Sequence, residues 1–157
     1  MALPVRRITT RGIIINDKGE VFAQRLKGED GGKPYVCTPG GGLEQGEDLL
    51  DGLRREMIEE TGIAPEIGPL LFIQQFVDTD RDGLEFLEFF YHVTNWRDYE
   101  SIDLGSTSHG DIEVHECGFV NPAGSVLLPK FLQEIDLPTF IAAKQPAQIY
   151  SYLSATL

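Results

Sequence analysis

The sequence predicts an α/β fold, and three observations carry that prediction. Short apolar runs separated by turn residues recur along most of the chain as strand candidates. One stretch from Leu49 towards Ile63 has helical periodicity instead, and a second helix is expected after Pro138. At 157 residues with 41% hydrophobic content, the chain has the size of one domain, 1–157, able to bury a real core. No tandem repeat or long linker interrupts it.

Arg6 to Asn16 reads as the first strand and Val21 to Leu26 as the second, with a turn between them. Tyr35 to Thr38 is a third, shorter candidate. Pro39-Gly40-Gly41-Gly42 cannot be regular helix or central strand, and without side chains its backbone can turn sharply and approach a ligand or ion. In the helix that follows, Leu49, Leu50, Leu53 and Met57 form the stripe expected to seat it on the core. Gly62 is suited to its left-handed C-terminal cap. Leu70 to Val77 and Phe86 to Val93 are strand candidates on either side of Asp78-Thr-Asp80-Arg-Asp82-Gly83. That run resembles the opening of a calcium-binding EF-hand loop, but Phe89 stands where the twelfth-position glutamate is needed and strands flank it, so a hairpin loop is expected. Glu113 to Val120 is the last strand candidate, and Pro146 should interrupt or restart the final helix because proline has no backbone donor. Trp96, Tyr99 and Gly105 to Asp111 read either as a substrate lid or as surface loop without function.

The chemistry is concentrated in Gly41 to Ile63. A helix advances about 100° per residue, so Glu56, Glu59 and Glu60 fall on one face. Like charges at that spacing repel, and they raise one another's pKa unless a cation lies among them. Carboxylate oxygens suit Mg²⁺ or Mn²⁺, and Mg²⁺ takes further oxygens from water and from a substrate phosphate. A solvated charged helix after a flexible turn would account for the acids but not for the spacing of the other residues.

That spacing is glycine, five residues, glutamate, seven residues, Arg-Glu, an apolar residue, any residue, Glu-Glu, any residue, glycine and an apolar residue. At every fixed position it resembles the 23-residue signature of the Nudix hydrolases. The resemblance implies a mixed β-sheet sandwiched between α-helices, and metal-dependent hydrolysis of a diphosphate linkage in a nucleoside diphosphate derivative. It implies that Glu56, Glu59 and Glu60 bind Mg²⁺ or Mn²⁺, joined by a carbonyl of Gly40 or Gly41, while Gly41 and Gly42 approach the substrate. Glu47 and Arg55 would orient the loop and helix through an ion pair. An outer carboxylate completes the metal set in many relatives. The spacing of six residues before an aromatic puts it at Glu113, ahead of Phe119, with Glu116 as runner-up and Glu85 and Glu88 next. Glu59 or Glu113 would take the proton from the attacking water. Arg25, at the end of the second strand, is a candidate phosphate contact or an ordinary surface arginine.

The markers of relatives that prefer ADP-ribose, dinucleoside polyphosphates, coenzyme A or NADH are absent. Thr79, Asp80 and Arg81 stand where the first two groups tend to show a proline or a tyrosine. A nucleoside triphosphate, including an oxidised one, is therefore the first expectation, with nucleotide sugars and ADP-ribose behind it. Two other classes stay open. A nucleotide-sensing Nudix domain without catalysis would usually have lost acids that this chain keeps, and an isoprenoid diphosphate isomerase of related fold would need a catalytic cysteine and glutamate.

A net charge of −12 disfavours broad electrostatic binding to nucleic acid or an anionic membrane, so a small-molecule nucleotide or diphosphate is the expected partner. A homodimer is compatible with this reading. Met1 to Asn16 has no apolar run long enough for a signal peptide and no segment approaches membrane-spanning length, so a cytoplasmic location is expected. Cys37 and Cys117 lack metal-site spacing and read as buried free thiols. His92, His109 and His115 are dispersed and read as strand or loop histidines before ligands, His115 alone lying near the proposed site.

Overall fold

Ile13 and Ile14 are neighbours in the chain, both fully buried, and they enter different cores. Successive side chains along extended chain leave opposite faces, so one segment between two layers feeds both. The computed structural model describes residues 5–153. The ends of the expected 1–157 domain, residues 1–4 and 154–157, lie outside the described residues, as does the start of the Met1 to Asn16 segment.

The strands are β1 (Arg6–Ile13), β2 (Val21–Gly28), β3 (Gly31–Gly32), β4 (Val36–Cys37), β5 (Gly40–Gly42), β6 (Ile67–Asp78), β7 (Leu84–Val93), β8 (Val114–Val120), β9 (Leu127–Leu128) and β10 (Gln148–Ser151). The helices are α1 (Leu49–Thr61), α2 (Gly110–Glu113) and α3 (Leu137–Ala142). The larger sheet runs β10-β6-β7-β1-β5 and is mixed: β1 pairs with β7, and β10 with β6, in parallel, while β6 with β7 and β1 with β5 are antiparallel. A smaller sheet runs β3-β2-β4-β9, with β8 also paired to β2.

Helical segments cover both sides of this framework. Leu53 and Met57 of α1 pack with Ile14, Phe22, Val93 and Tyr99. Burying side chains of this size contributes roughly 1.5–3 kcal/mol each. Gly12 lets α1 come close to β1, since a Cβ there would meet Met57 Sδ at 3.3 Å. In the other core, Phe72 and Phe90 meet Phe131, Leu132 and Leu137 from the carboxy-terminal turn and α3. The expected mixed sheet between helices is thus present.

Several local expectations need correction. Leu50 is 42% exposed, so the seating stripe of α1 reduces to its deeper members Leu53 and Met57. The first strand stops at Ile13 and leaves only an isolated bridge at Ile15, and Glu113 closes α2 instead of opening β8. Gly40 to Gly42 is not a free loop: it pairs with β1 as the edge strand β5, with Gly40 at φ 136°. The described residues do not end in helix. α3 stops at Ala142, and after Pro146 the chain extends as β10 along β6, a long-range pairing that no local periodicity announces. Trp96 and Tyr99 are not lid residues. Tyr99 is buried against Phe22 with its hydroxyl donating to the Ile63 carbonyl, and Trp96 packs edge-on to Phe119. Asp78 to Gly83 is a hairpin turn between β6 and β7, as expected. Among the described residues, no helix is long and apolar enough to cross a membrane.

Candidate active site

Asp48 caps the start of α1 by accepting from the Asp51 N–H, and Gly62, at φ 77°, closes its end. The helix holds its three glutamates in different surroundings. Glu60 is only 4% exposed, and its Oε2 accepts from Gln24 Nε2 at 2.8 Å and from the Gly40 N–H at 3.1 Å. Burial pushes its carboxyl up to about 7, against the opposing pull of Gln24, Arg11 and the Gly40 amide. The half-buried Glu56 lies against the backbone of Gly41, where a Cβ would come within 2.4 Å of its Cδ. Burial raises the Glu56 pKa too, with Arg55 opposing. Glu59 Oε2 receives Arg55 Nη1 and lies 3.1 Å from His109 Nδ1.

Arg55 and Glu47 form the ion pair that the family resemblance implied. Nε donates to Glu47 Oε2 at 2.7 Å and Nη2 to Oε1 at 2.9 Å, a two-pronged contact that fixes the guanidinium plane. Nη2 also reaches the Gly42 carbonyl at 3.1 Å, and Nη1 reaches Glu56 Oε1 at 3.0 Å. One side chain thus joins β5 to α1. The hydrogen bonds from Arg55 hold the Glu47 carboxyl down at about 2.

The ladder between β1 and β5 decides which glycine carbonyl is available. The Leu43 N–H bonds to the Ile8 carbonyl and the Gly12 N–H to the Pro39 carbonyl, and hydrogen-bonded pairs alternate along an antiparallel ladder. Thr10 and Gly41 therefore form the hydrogen-bonded pair between them. The polar backbone groups of Gly41 face β1, whereas those of Gly40 and Gly42 face away. In agreement, the Gly40 carbonyl accepts from Arg11 Nη1 at 3.1 Å.

A cavity of about 730 Å³ collects Gly40, Gly41, Gly42, Glu56, Glu59, Glu60 and Glu113. Five cations the spacing argument had not named line it too: Arg7, Arg11, Lys27, Lys33 and Arg81. Strand alternation gives the clue to the first two, because Arg7, Thr9 and Arg11 share one face of β1 and all reach the cavity. His109 also lines it, brought there by its N–H bond to the Glu59 carbonyl, while His115 lies instead by Gly32, outside the lining. Glu116 does not line it: its carboxylate pairs with Arg25 at 2.6 Å. Arg25, the expected phosphate contact, does not line the cavity either, its Nε being paired with Glu116 and its Nη1 bonded to the Lys33 carbonyl. Glu85 is paired with Arg6, and Glu88 is buried among Thr9, Arg11 and Gln74, away from the acidic cavity.

A second cavity, of about 660 Å³, shares the wall residues Arg11, Tyr35, Asp78, Asp80, Arg81 and Phe86 with the first. The two are therefore ends of one cleft. Its far end is aromatic and apolar, with Phe76 stacked on Phe86 at 5.0 Å and Phe90, Phe131 and Leu128 nearby. Cys37 faces this end and Cys117 pairs with Gln24 across β2 and β8; both are free thiols, partly buried, and burial pushes both up.

The clustered carboxylates and the glycine carbonyl at the acidic end are oxygen donors, which fits a hard divalent ion, and Gly41 leaves open the space beside Glu56 that any side chain would fill. Among the described residues, no three Asp, Glu, His or Cys side chains are yet arranged to hold an ion. Glu56 and Glu59 instead share the Arg55 guanidinium.

A family model described as NUDIX domain matches residues 5–133. Among solved structures, a NUDIX hydrolase from Nitrosomonas europaea is similar over 91% of this chain and 93% of its own, at 18% identity and a TM-score of 0.69. The MutT protein of Methanosarcina mazei Go1 is similar over 93% and 100%, at 21% identity and a TM-score of 0.67. A UDP-X diphosphatase is similar over 95% and 69%, at 20% identity and a TM-score of 0.62. At these identities the likeness concerns the fold. Comparison with curated protein sequences gives no match.

Proposed function

We propose, on the premise that this chain belongs to the Nudix family and is a pyrophosphohydrolase of that type, that it hydrolyses a diphosphate linkage within a nucleoside diphosphate derivative. The observation that carries this reading is the continuity of an acidic, oxygen-lined cavity with an aromatic one. A substrate with a planar apolar group at one end and a phosphate chain at the other matches that polarity. Glu56, Glu59, Glu60 and Glu113, with the Gly40 carbonyl, are the residues that would hold Mg²⁺ or Mn²⁺. A bound divalent ion supplies charge to the phosphate oxygens and acidifies the attacking water.

The remaining roles belong to the chain itself. Arg55 and Glu47 keep β5 and α1 in register, so that the Gly40 carbonyl and the glutamates face one volume. Arg7, Lys27 and Lys33 balance the phosphate charge that the acids would otherwise repel. Glu59 and Glu113 are the candidate bases; Glu59 is oriented by Arg55 and His109, Glu113 by its position at the end of α2. A nucleoside triphosphate, oxidised or not, is the first substrate to try. Nucleotide sugars come next, in keeping with the UDP-X diphosphatase among the similar folds, and then ADP-ribose. Such small substrates agree with the acidic composition, and the intact set of signature acids favours an enzyme over a nucleotide sensor.

The test is a panel of nucleoside triphosphates, 8-oxo-dGTP, UDP-glucose and ADP-ribose, incubated with Mg²⁺ or Mn²⁺ and resolved by product. Release of a nucleoside monophosphate from at least one member supports the reading. Its absence from all of them with either ion would overturn it.

A further inference from the structure

Arg11 lies where the acidic and aromatic ends of the cleft join, and it lines both. Its guanidinium is fixed on two sides. Nε donates to Glu88 Oε2 at 3.0 Å, and Nη1 donates to the carbonyls of Gly40 at 3.1 Å and Thr38 at 3.3 Å. Glu88 is itself held, by Thr9 Oγ1 at 2.8 Å on Oε2 and by Gln74 Nε2 at 3.0 Å on Oε1. The carboxylate therefore has no slack with which to draw Arg11 away. Nη2 has no hydrogen-bond partner among the described residues, and it is not one of the buried side-chain atoms left unpaired. A guanidinium held by three bonds thus leaves one nitrogen, with two N–H donors, without a partner among the described residues, on a side chain that lines both ends of the cleft. The other arginine shared by both ends, Arg81, is 60% exposed, sits on the hairpin turn and is turned to Asp78 at 3.5 Å.

We propose that Arg11 is a substrate-binding residue, whose free Nη2 donates to the phosphate that adjoins the substrate's organic group. The inference rests on the diphosphate reading above and adds which phosphate is bound without the metal. The acids serve one end of the substrate and the aromatic rings the other; the phosphate between them meets a preset donor. Lysine could not replace it, because an ammonium cannot keep Glu88, the Gly40 carbonyl and a phosphate oxygen in one plane.

The experiment measures binding of AMP, GMP and UMP, and of adenosine, guanosine and uridine, to the intact protein in EDTA by calorimetry. Arg11→Lys is compared with wild type. So is the double variant Arg11→Gln, Glu88→Gln, which removes both charges and leaves no carboxylate orphaned. The inference expects one monophosphate to bind wild type at least about tenfold more tightly than its own nucleoside, as charge-assisted hydrogen bonds allow. Both variants should lose that phosphate increment while binding the nucleoside as wild type does. General damage to the fold would weaken nucleoside and monophosphate alike, and that outcome would overturn the assignment. So would an increment retained in both variants, or none in wild type. Product analysis of wild type separates the two levels: cleavage of a diphosphate with an unchanged increment in the Arg11 variants refutes this inference alone, whereas no cleavage refutes the reading beneath it.

Discussion

The Gly40 N–H donates to Oε2 of Glu60 across 3.1 Å, so the glycine strand and the glutamate-bearing helix are joined at the residue whose carbonyl also faces the cavity. Glu60→Gln tests that joint. The amide oxygen of glutamine can accept from both Gly40 and Gln24, and burial disfavours the ionised carboxylate it replaces, so Tm at pH 8 should not fall. Turnover should drop by about a hundredfold or more, because the anionic ligand is gone. A folded variant with near-normal turnover at saturating Mg²⁺ would take Glu60 out of the mechanism.

Gly40 and Gly41 should respond differently to alanine. At Gly40 a Cβ would lie 2.1 Å from the Thr10 carbonyl oxygen and φ is 136°, a strain of roughly 1–3 kcal/mol, which lowers Tm by roughly 2–12 °C. At Gly41 the added carbon meets the carboxylate of Glu56 instead of backbone. The expected result is a nearly unchanged melt and an approximately tenfold rise in the Mg²⁺ concentration for half-maximal rate. Identical melts for the two variants would contradict this.

Arg55→Lys keeps the charge but loses the fork to Glu47 and the reach to Gly42, Glu56 and Glu59 together. The rate at saturating metal should fall between about tenfold and a hundredfold, with the circular dichroism spectrum unchanged. A rate within twofold of wild type would show that lysine orients the site as well.

Glu113 and Glu116 are three residues apart and lie in different settings. Glu113 lines the acidic cavity close enough to influence the charge of Glu56, and Glu116 is turned to Arg25 on the outer side of β2. Glu113→Gln should therefore lower turnover or metal affinity at least about tenfold, and Glu116→Gln less than twofold. A large effect confined to Glu116→Gln would mean that the cavity does not hold the outer ligand.

Residues that act through local geometry were legible before the fold was known. Glu56, Glu59 and Glu60 on one helical face and the Gly62 cap follow from spacing along one helix, and the Glu47 to Arg55 pair from the family resemblance. What escaped was settled by pairing across the sequence. Gly40 to Gly42 became a strand because β1 was there to accept it, and Gln148 to Ser151 because β6 was. Arg25 was lost to Glu116, ninety-one positions away, a contact no local pattern contains. Arg11 and Glu88 left a fainter trace. Glu88 alternates with Phe86 and Phe90, both buried, so a strand reading would have sent its carboxylate inward and required a cation to meet it.

The central claim, a metal-dependent diphosphate hydrolase with its nucleoside end in the aromatic cavity, is tested most directly by one product-resolved time course. The protein is incubated with the best substrate of the panel and Mg²⁺, then with excess EDTA, then with Mg²⁺ restored. The account predicts a nucleoside monophosphate and its phosphorylated or pyrophosphate co-product in equal amounts, arrest on chelation and full recovery with the ion. Undiminished turnover after exhaustive chelation, or cleavage that releases the free nucleoside instead of its monophosphate, would contradict it.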